Sequence, residues 1–199
     1  MTNFVSRIRR PRSTQALSVS AVVLDGYPPL LKQIPLVILF AVAVVICVVA
    51  PSLAITSVPA LVAAVVLLVG VTGFAAILPR LDSSGQLVFI VPTIDFLVVG
   101  ILRFATGEST SIFASLAILP AVWIAASPGT RPVVYAFLGV FGGLLVPFLL
   151  GSTLEDNPNE IARSLFSACA FTLAAAAVND LARLARSHII TIQARDQAT

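Results

Sequence analysis

Charge is scarce in this chain. Lys, Arg, Asp and Glu make up 11% of its 199 residues, 58% are hydrophobic, and the mean hydropathy is +1.04. An ordinary soluble domain carries about 25% charged residues, so a water-soluble fold this apolar would lack the polar surface to cover itself. Histidine is nearly absent too. The single one, His188, lies beyond the last apolar run, so neither a His–metal cluster nor a His-based triad can be built within a membrane. The two cysteines, Cys47 and Cys169, both fall in apolar runs, which leaves no disulfide framework and no metal site. There is no G-x-S-x-G, no H-E-x-x-H and no glycine-rich phosphate loop. No enzyme activity, cofactor or metal is expected.

What is abundant is apolar sequence in long runs. Six segments stand out, at about residues 34–50, 59–78, 87–106, 109–127, 132–150 and 159–181. Each approaches the roughly 20 residues needed to cross hydrocarbon. Backbone groups in lipid must be satisfied within the segment or by a closed barrel, and these runs lack the alternation of barrel strands. The expected fold is therefore all-α: a polytopic bundle of six transmembrane helices over 34–181. Residues 1–33 form a cytoplasmic basic and juxtamembrane segment, and 182–199 a cytoplasmic helical tail, a candidate linker to an output domain. The first two segments, joined by a short connection, predict a helical hairpin. No motif relates the two halves, so an inverted-repeat transporter gains no support.

Basic residues set the topology. With the N-terminus inside, Arg7, Arg9, Arg10, Arg12, Lys32, Arg80, Arg131, Arg183, Arg186 and Arg195 all fall on the cytoplasmic side. Only Arg103 and Arg163 fall outside, beside the acidic loop GSTLEDNPNE. Both termini are thus expected in the cytoplasm of a multi-pass cell-membrane protein. The cluster SRIRRPRST suits anionic lipid and lacks the interleaved aromatics of a nucleic-acid surface, so no nucleic-acid partner is expected. Some twenty mixed residues separate it from the first apolar run, unlike a cleaved signal peptide.

Within the apolar runs, PTIDFLVVGILRF holds Asp95 and Arg103. Eight residues of helix separate them by about 12 Å and roughly 80°, which excludes a direct ion pair. Arg103, near the outer end, is expected to snorkel to the interface, with Glu108, Glu155 or Glu160 as partners. Asp95 is deep and needs a partner from another helix; Thr72, Ser115 and Thr172 are candidates by depth. Two readings stand side by side: a proton or cation site, and a neutral carboxyl that fixes helix packing. Arg163 and Asp180 read as interfacial anchors, and Trp123 as part of the aromatic belt. Gly139 and Gly143 form a G-x-x-x-G that serves either a homodimer face or packing inside the bundle. AAAA at 174–177 offers another smooth surface. Pro92, Pro120 and Pro147 lie inside segments and are expected to act as conformational pivots. Beyond residue 181 the chain stays free of Gly and Pro, and Leu181, Leu184, His188 and Ile192 keep a rough three-four spacing.

The succession VPTIDF, an Arg closing that helix, then LPAVWIAASPGTR and GLLVPFLL is similar to the membrane-embedded sensory regions of actinobacterial signalling proteins. These resemble the MASE-type class that precedes diguanylate cyclase, phosphodiesterase or histidine kinase modules, and the likeness covers about residues 30–195. The resemblance implies a multi-helix input domain, often dimeric through its output partner, signalling to a cytoplasmic module after Thr199. The expected function is therefore a membrane sensory or input domain with Asp95 and Arg103 as its polar site. The alternatives are a small transporter or channel subunit that uses Asp95 for an ion or proton, and a structural membrane subunit that assembles with partners.

Overall fold

The computed structural model describes residues 28–50, 55–81, 87–108, 111–127, 129–151 and 158–196; in the last stretch the side chains of 159–181 and Leu184 are described. The cluster Arg7–Arg12, Glu155 and most of the acidic loop lie outside these residues, as do the side chains of Arg183, Arg186, His188 and Arg195. Every regular element among the described residues is helical: α1 (Pro29–Val49), α2 (Val58–Leu81), α3 (Ile90–Ala105), α4 (Ile118–Ala125), α5 (Arg131–Leu150) and α6 (Pro158–Asp196). Short 3₁₀ turns, Leu87–Phe89 and Ile112–Ala117, lead into α3 and α4.

Five of the helical stretches are long and apolar enough to cross a membrane, and the fourth segment, Ile112–Ala125, is shorter. Six residues of 3₁₀ and eight of α-helix rise only about 24 Å, less than the roughly 30 Å of hydrocarbon. Much of the outer surface is apolar, with Ile38, Val48, Val66, Leu149 and Phe166 among many large exposed hydrophobics. A surface like that is stable against lipid tails and unstable in water.

Helix α3 is the centre. Half of its span is buried, against a third or less of each of the other four, and it packs against α2, α5 and α4. Polar contacts define the two ends of the bundle. At the proximal end, where α1 begins, Gln33 of α1 meets Asp95 of α3, and Asn179 of α6 donates to the Gly129 carbonyl in the α4–α5 turn at 3.0 Å. At the distal end, Thr56 donates its backbone N–H to Ala105 at the close of α3, 2.9 Å away, and Arg103 reaches Leu144 of α5.

Helix α1 begins at Pro29, so it takes in Lys32 and Gln33, which the sequence places in the juxtamembrane segment. Pro is favoured in the first turn because the N–H it lacks would have no intrahelical acceptor. Helix α6 runs for 39 residues without interruption, about 58 Å, although only Asn159–Leu181 is an apolar span.

The prolines divide into two kinds. Pro92 and Pro120 each stand in the first turn of their α-helix, at the junction with a 3₁₀ turn, and not in the middle of a helix. There a missing N–H removes an i→i−4 bond that tighter winding does not need. Pro147 does lie inside α5, and Pro35 and Pro79 lie inside α1 and α2.

Candidate functional site

Asp95 and Arg103 occupy separate sites in opposite halves of α3. Asp95 is 1% exposed and accepts a hydrogen bond from Gln33 Nε2 at 2.6 Å; Gln33 itself is fully buried. None of the partners named by depth fills this role. Thr72 returns its hydroxyl to the Leu68 carbonyl of its own helix at 2.7 Å. Ser115 is exposed. Thr172 is half-buried on α6, and its hydroxyl finds no hydrogen-bond partner. Gln33 continues the buried stripe of α1, spaced by threes and fours through Leu36, Phe40, Ala43 and Cys47, and so faces the bundle.

Gln33 Oε1 is buried without a donor. A primary amide offers both donor and acceptor, and a carboxyl accepts when ionised and donates when protonated. Rotating the amide by half a turn therefore converts a pair that suits the ionised acid into one that suits the neutral acid. Both states keep one hydrogen bond.

Arg103 does not snorkel to the interface. It is 3% exposed and donates from Nη1 to the Leu144 carbonyl at 2.8 Å and from Nη2 to the Glu108 carbonyl at 3.4 Å. The cause lies in α5 and in the turn after α3. Pro147 has no N–H to bond the Gly143 carbonyl, so the α5 backbone is loosened one residue before Leu144. Gly107 and Glu108 both take positive φ, 100° and 52°, which lets the chain reverse with the Glu108 carbonyl aimed back at the guanidinium. It is thus the main chain of Glu108, and not its carboxylate, that serves Arg103.

Charge comes next. Glu160, in the first turn of α6, is 8% exposed and pairs with Arg163 at 3.1 Å. Both lie within electrostatic reach of Arg103, yet Arg103 forms no ion pair among the described residues. Arg103 Nε and Glu160 Oε2 are each buried without a partner. Around them Thr106 donates to Leu102 at 2.7 Å and stands 2.8 Å from the Ser111 hydroxyl. With the Thr106 proton so engaged, Ser111 is the donor to Thr106.

The glycine motif lies inside the bundle. A Cβ at Gly139 would strike the Phe96 ring, and one at Gly143 would lie 2.8 Å from the Phe96 carbonyl oxygen. In return a Cβ at Gly100 would lie 2.5 Å from the Gly143 carbonyl. Gly139 and Gly143 thus seat α5 on α3, and Gly142, with open space beside it, faces outward. Trp123 is largely buried, with the Lys32 ammonium 5.9 Å from its ring centroid. Among the described residues no three His, Cys, Asp or Glu side chains gather as metal ligands. Cys47 and Cys169 are both free.

The architecture is that of an all-helical bundle with the lengths and apolarity of a membrane-spanning one. Compared with family models, with curated proteins and with solved structures, the chain matches none.

Proposed function

We propose that this chain is an input domain of the cell membrane, with both termini in the cytoplasm, that passes a state of its helix bundle to a cytoplasmic output module through α6. The observation that carries the reading is the continuity of α6. Its apolar span ends at Leu181, yet the helix runs on to Asp196. A helix that leaves the bundle unbroken carries its rotation and tilt with it. The Asp95–Gln33 pair is a two-state element of the kind an input needs, and the resemblance to MASE-type sensory regions points the same way.

The decisive experiment fuses a diguanylate cyclase module in frame after Thr199 and follows its product in cells. Asp95→Asn should shift output several-fold. One residue inserted after Asp180 turns the helix by about 100° and should also change output, whereas seven inserted residues, about two turns, should restore it. Output indifferent to all three changes would remove the input reading.

A second reading, a small transporter, is favoured by one observation: a carboxyl 1% exposed whose partner can follow a change of protonation. Proton or cation flux in proteoliposomes that disappears in Asp95→Asn would select it.

A further inference from the structure

Helix α6 turns one narrow face to the bundle, Glu160, Ser164, Ala168, Ala175 and Asn179, and packs on α5 and α4. The opposite face carries Ala162, Phe166, Ala170, Leu173, Ala177 and Leu181, all exposed. Their intervals are four, four, three, four and four. Eleven residues make almost three whole turns, so the row runs nearly straight along the helix. Small and large side chains alternate along it, and small residues let two membrane helices approach closely.

Lipid would suffice as a cover if the row ended with the hydrocarbon, as the exposed faces of α1 and α2 end at Val49 and Leu81. Helix α6 differs. It leaves its apolar span at Leu181 and continues as one helix to Asp196, about 22 Å further. The same intervals continue in the sequence through Leu184, His188 and Ile192. This extension holds Ile189, Ile190, Thr191 and Ile192 in succession, yet stays helical. β-Branched residues are weak helix formers, and a helix of this length is marginal in water without a packed face. A cover is therefore needed on both sides of the membrane boundary, and a second helix lying along the row supplies it in one piece. We propose that α6 is the interface of a parallel homodimer, two copies related by a two-fold axis along the membrane normal. The two-fold sets each row against itself. Ala170 and Ala177 bring the backbones together, and Phe166, Leu173 and Leu181 close over the gaps. The dimer does not depend on whether the bundle senses or transports.

The two native cysteines are first replaced by Ser, since Cys169 is exposed on α6 and Cys47 is buried. Single cysteines then enter this full chain in membranes as Ala170→Cys, Leu173→Cys or Ala177→Cys on the row, and as Ile161→Cys or Leu165→Cys, exposed on α6 but off the row. Copper-phenanthroline oxidation and a non-reducing gel read the cross-linked fraction, which should be several-fold higher on the row than off it. Energy transfer between labelled copies in vesicles, followed as lipid is added, gives the association itself. Ala170→Phe wedges the helices apart and should weaken association by about tenfold, a usual size for an overpacking penalty. Because Ala170 is exposed in the single copy, that variant should keep its helical circular dichroism and elute as one species. Equal cross-linking on and off the row would overturn the proposal, as would association that Ala170→Phe leaves unchanged. Absence of energy transfer at every protein-to-lipid ratio would also overturn it, by showing that lipid alone covers the row, with residues 1–27 on the extension.

Discussion

Asp95 and Arg103 stand eight residues apart on one helix and are almost equally buried, at 1% and 3% exposed, yet the bundle answers them differently. Asp95 is met by a side chain, Gln33, through one short bond. Arg103 is met by main-chain carbonyls of Leu144 and Glu108. A side-chain partner can rotate, change its sense of donation or be lost by mutation. A main-chain carbonyl does none of these, because its place is set by helix α5 and by the turn at Gly107 and Glu108. The proximal contact can thus rearrange by rotation of one side chain, whereas the distal contacts are fixed by the main chain.

The largest effect should come from breaking the distal site. Arg103→Ala takes the charged donor from the Leu144 and Glu108 carbonyls, while Glu160 keeps Arg163. Hydrogen bonds from a charged group contribute about 1.5–3 kcal/mol each, and their loss is readable as a lower unfolding midpoint in dodecyl sulfate titrations of the detergent-solubilised protein. At the proximal site Asp95→Leu removes the acceptor of Gln33 and should cost about 1–3 kcal/mol by the same assay. Adding Gln33→Leu should recover most of that loss, since an apolar pair strands no amide; a double mutant no better than the sum of its parts would refute the pairing. Smallest of all is Asp95→Asn, which keeps an oxygen to accept from Nε2 and should move the midpoint by less than about 1 kcal/mol. A loss as large as that of Asp95→Leu would show that charge, and not the hydrogen bond, holds the pair.

The contrast also explains what the sequence could reveal. Helical character and approximate spans follow from composition, because lipid allows little else to runs this apolar. Asp95 and Arg103 were visible as polar outliers. Gln33 was not, because on α1 both faces are apolar: Leu36, Phe40 and Ala43 face in while Ile38, Val42 and Val45 face out. Without an amphipathic pattern, nothing told the inward stripe from the outward one, and the helix start was placed after Gln33. The partners of Arg103 were illegible for another reason. Backbone carbonyls carry no residue signature, and it took Pro147 together with the positive-φ turn to aim them. Gly139 and Gly143 stand out in the sequence as a G-x-x-x-G that suits either a dimer face or the bundle interior, and only the placement of Phe96 says which surface they pack against.

The glycine crossing has a mechanical consequence. Where a Cβ at Gly100 would collide with the Gly143 carbonyl, and one at Gly143 with that of Phe96, the backbones of α3 and α5 touch without an intervening layer of side chains. Rotamer changes are the usual way that packed helices absorb small displacements, and at this crossing there are few rotamers to change. Helices α3 and α5 therefore behave as a single beam. A displacement at Asp95 is carried to Arg103, about 12 Å further along α3, as a rigid movement and is not dissipated by repacking along the way.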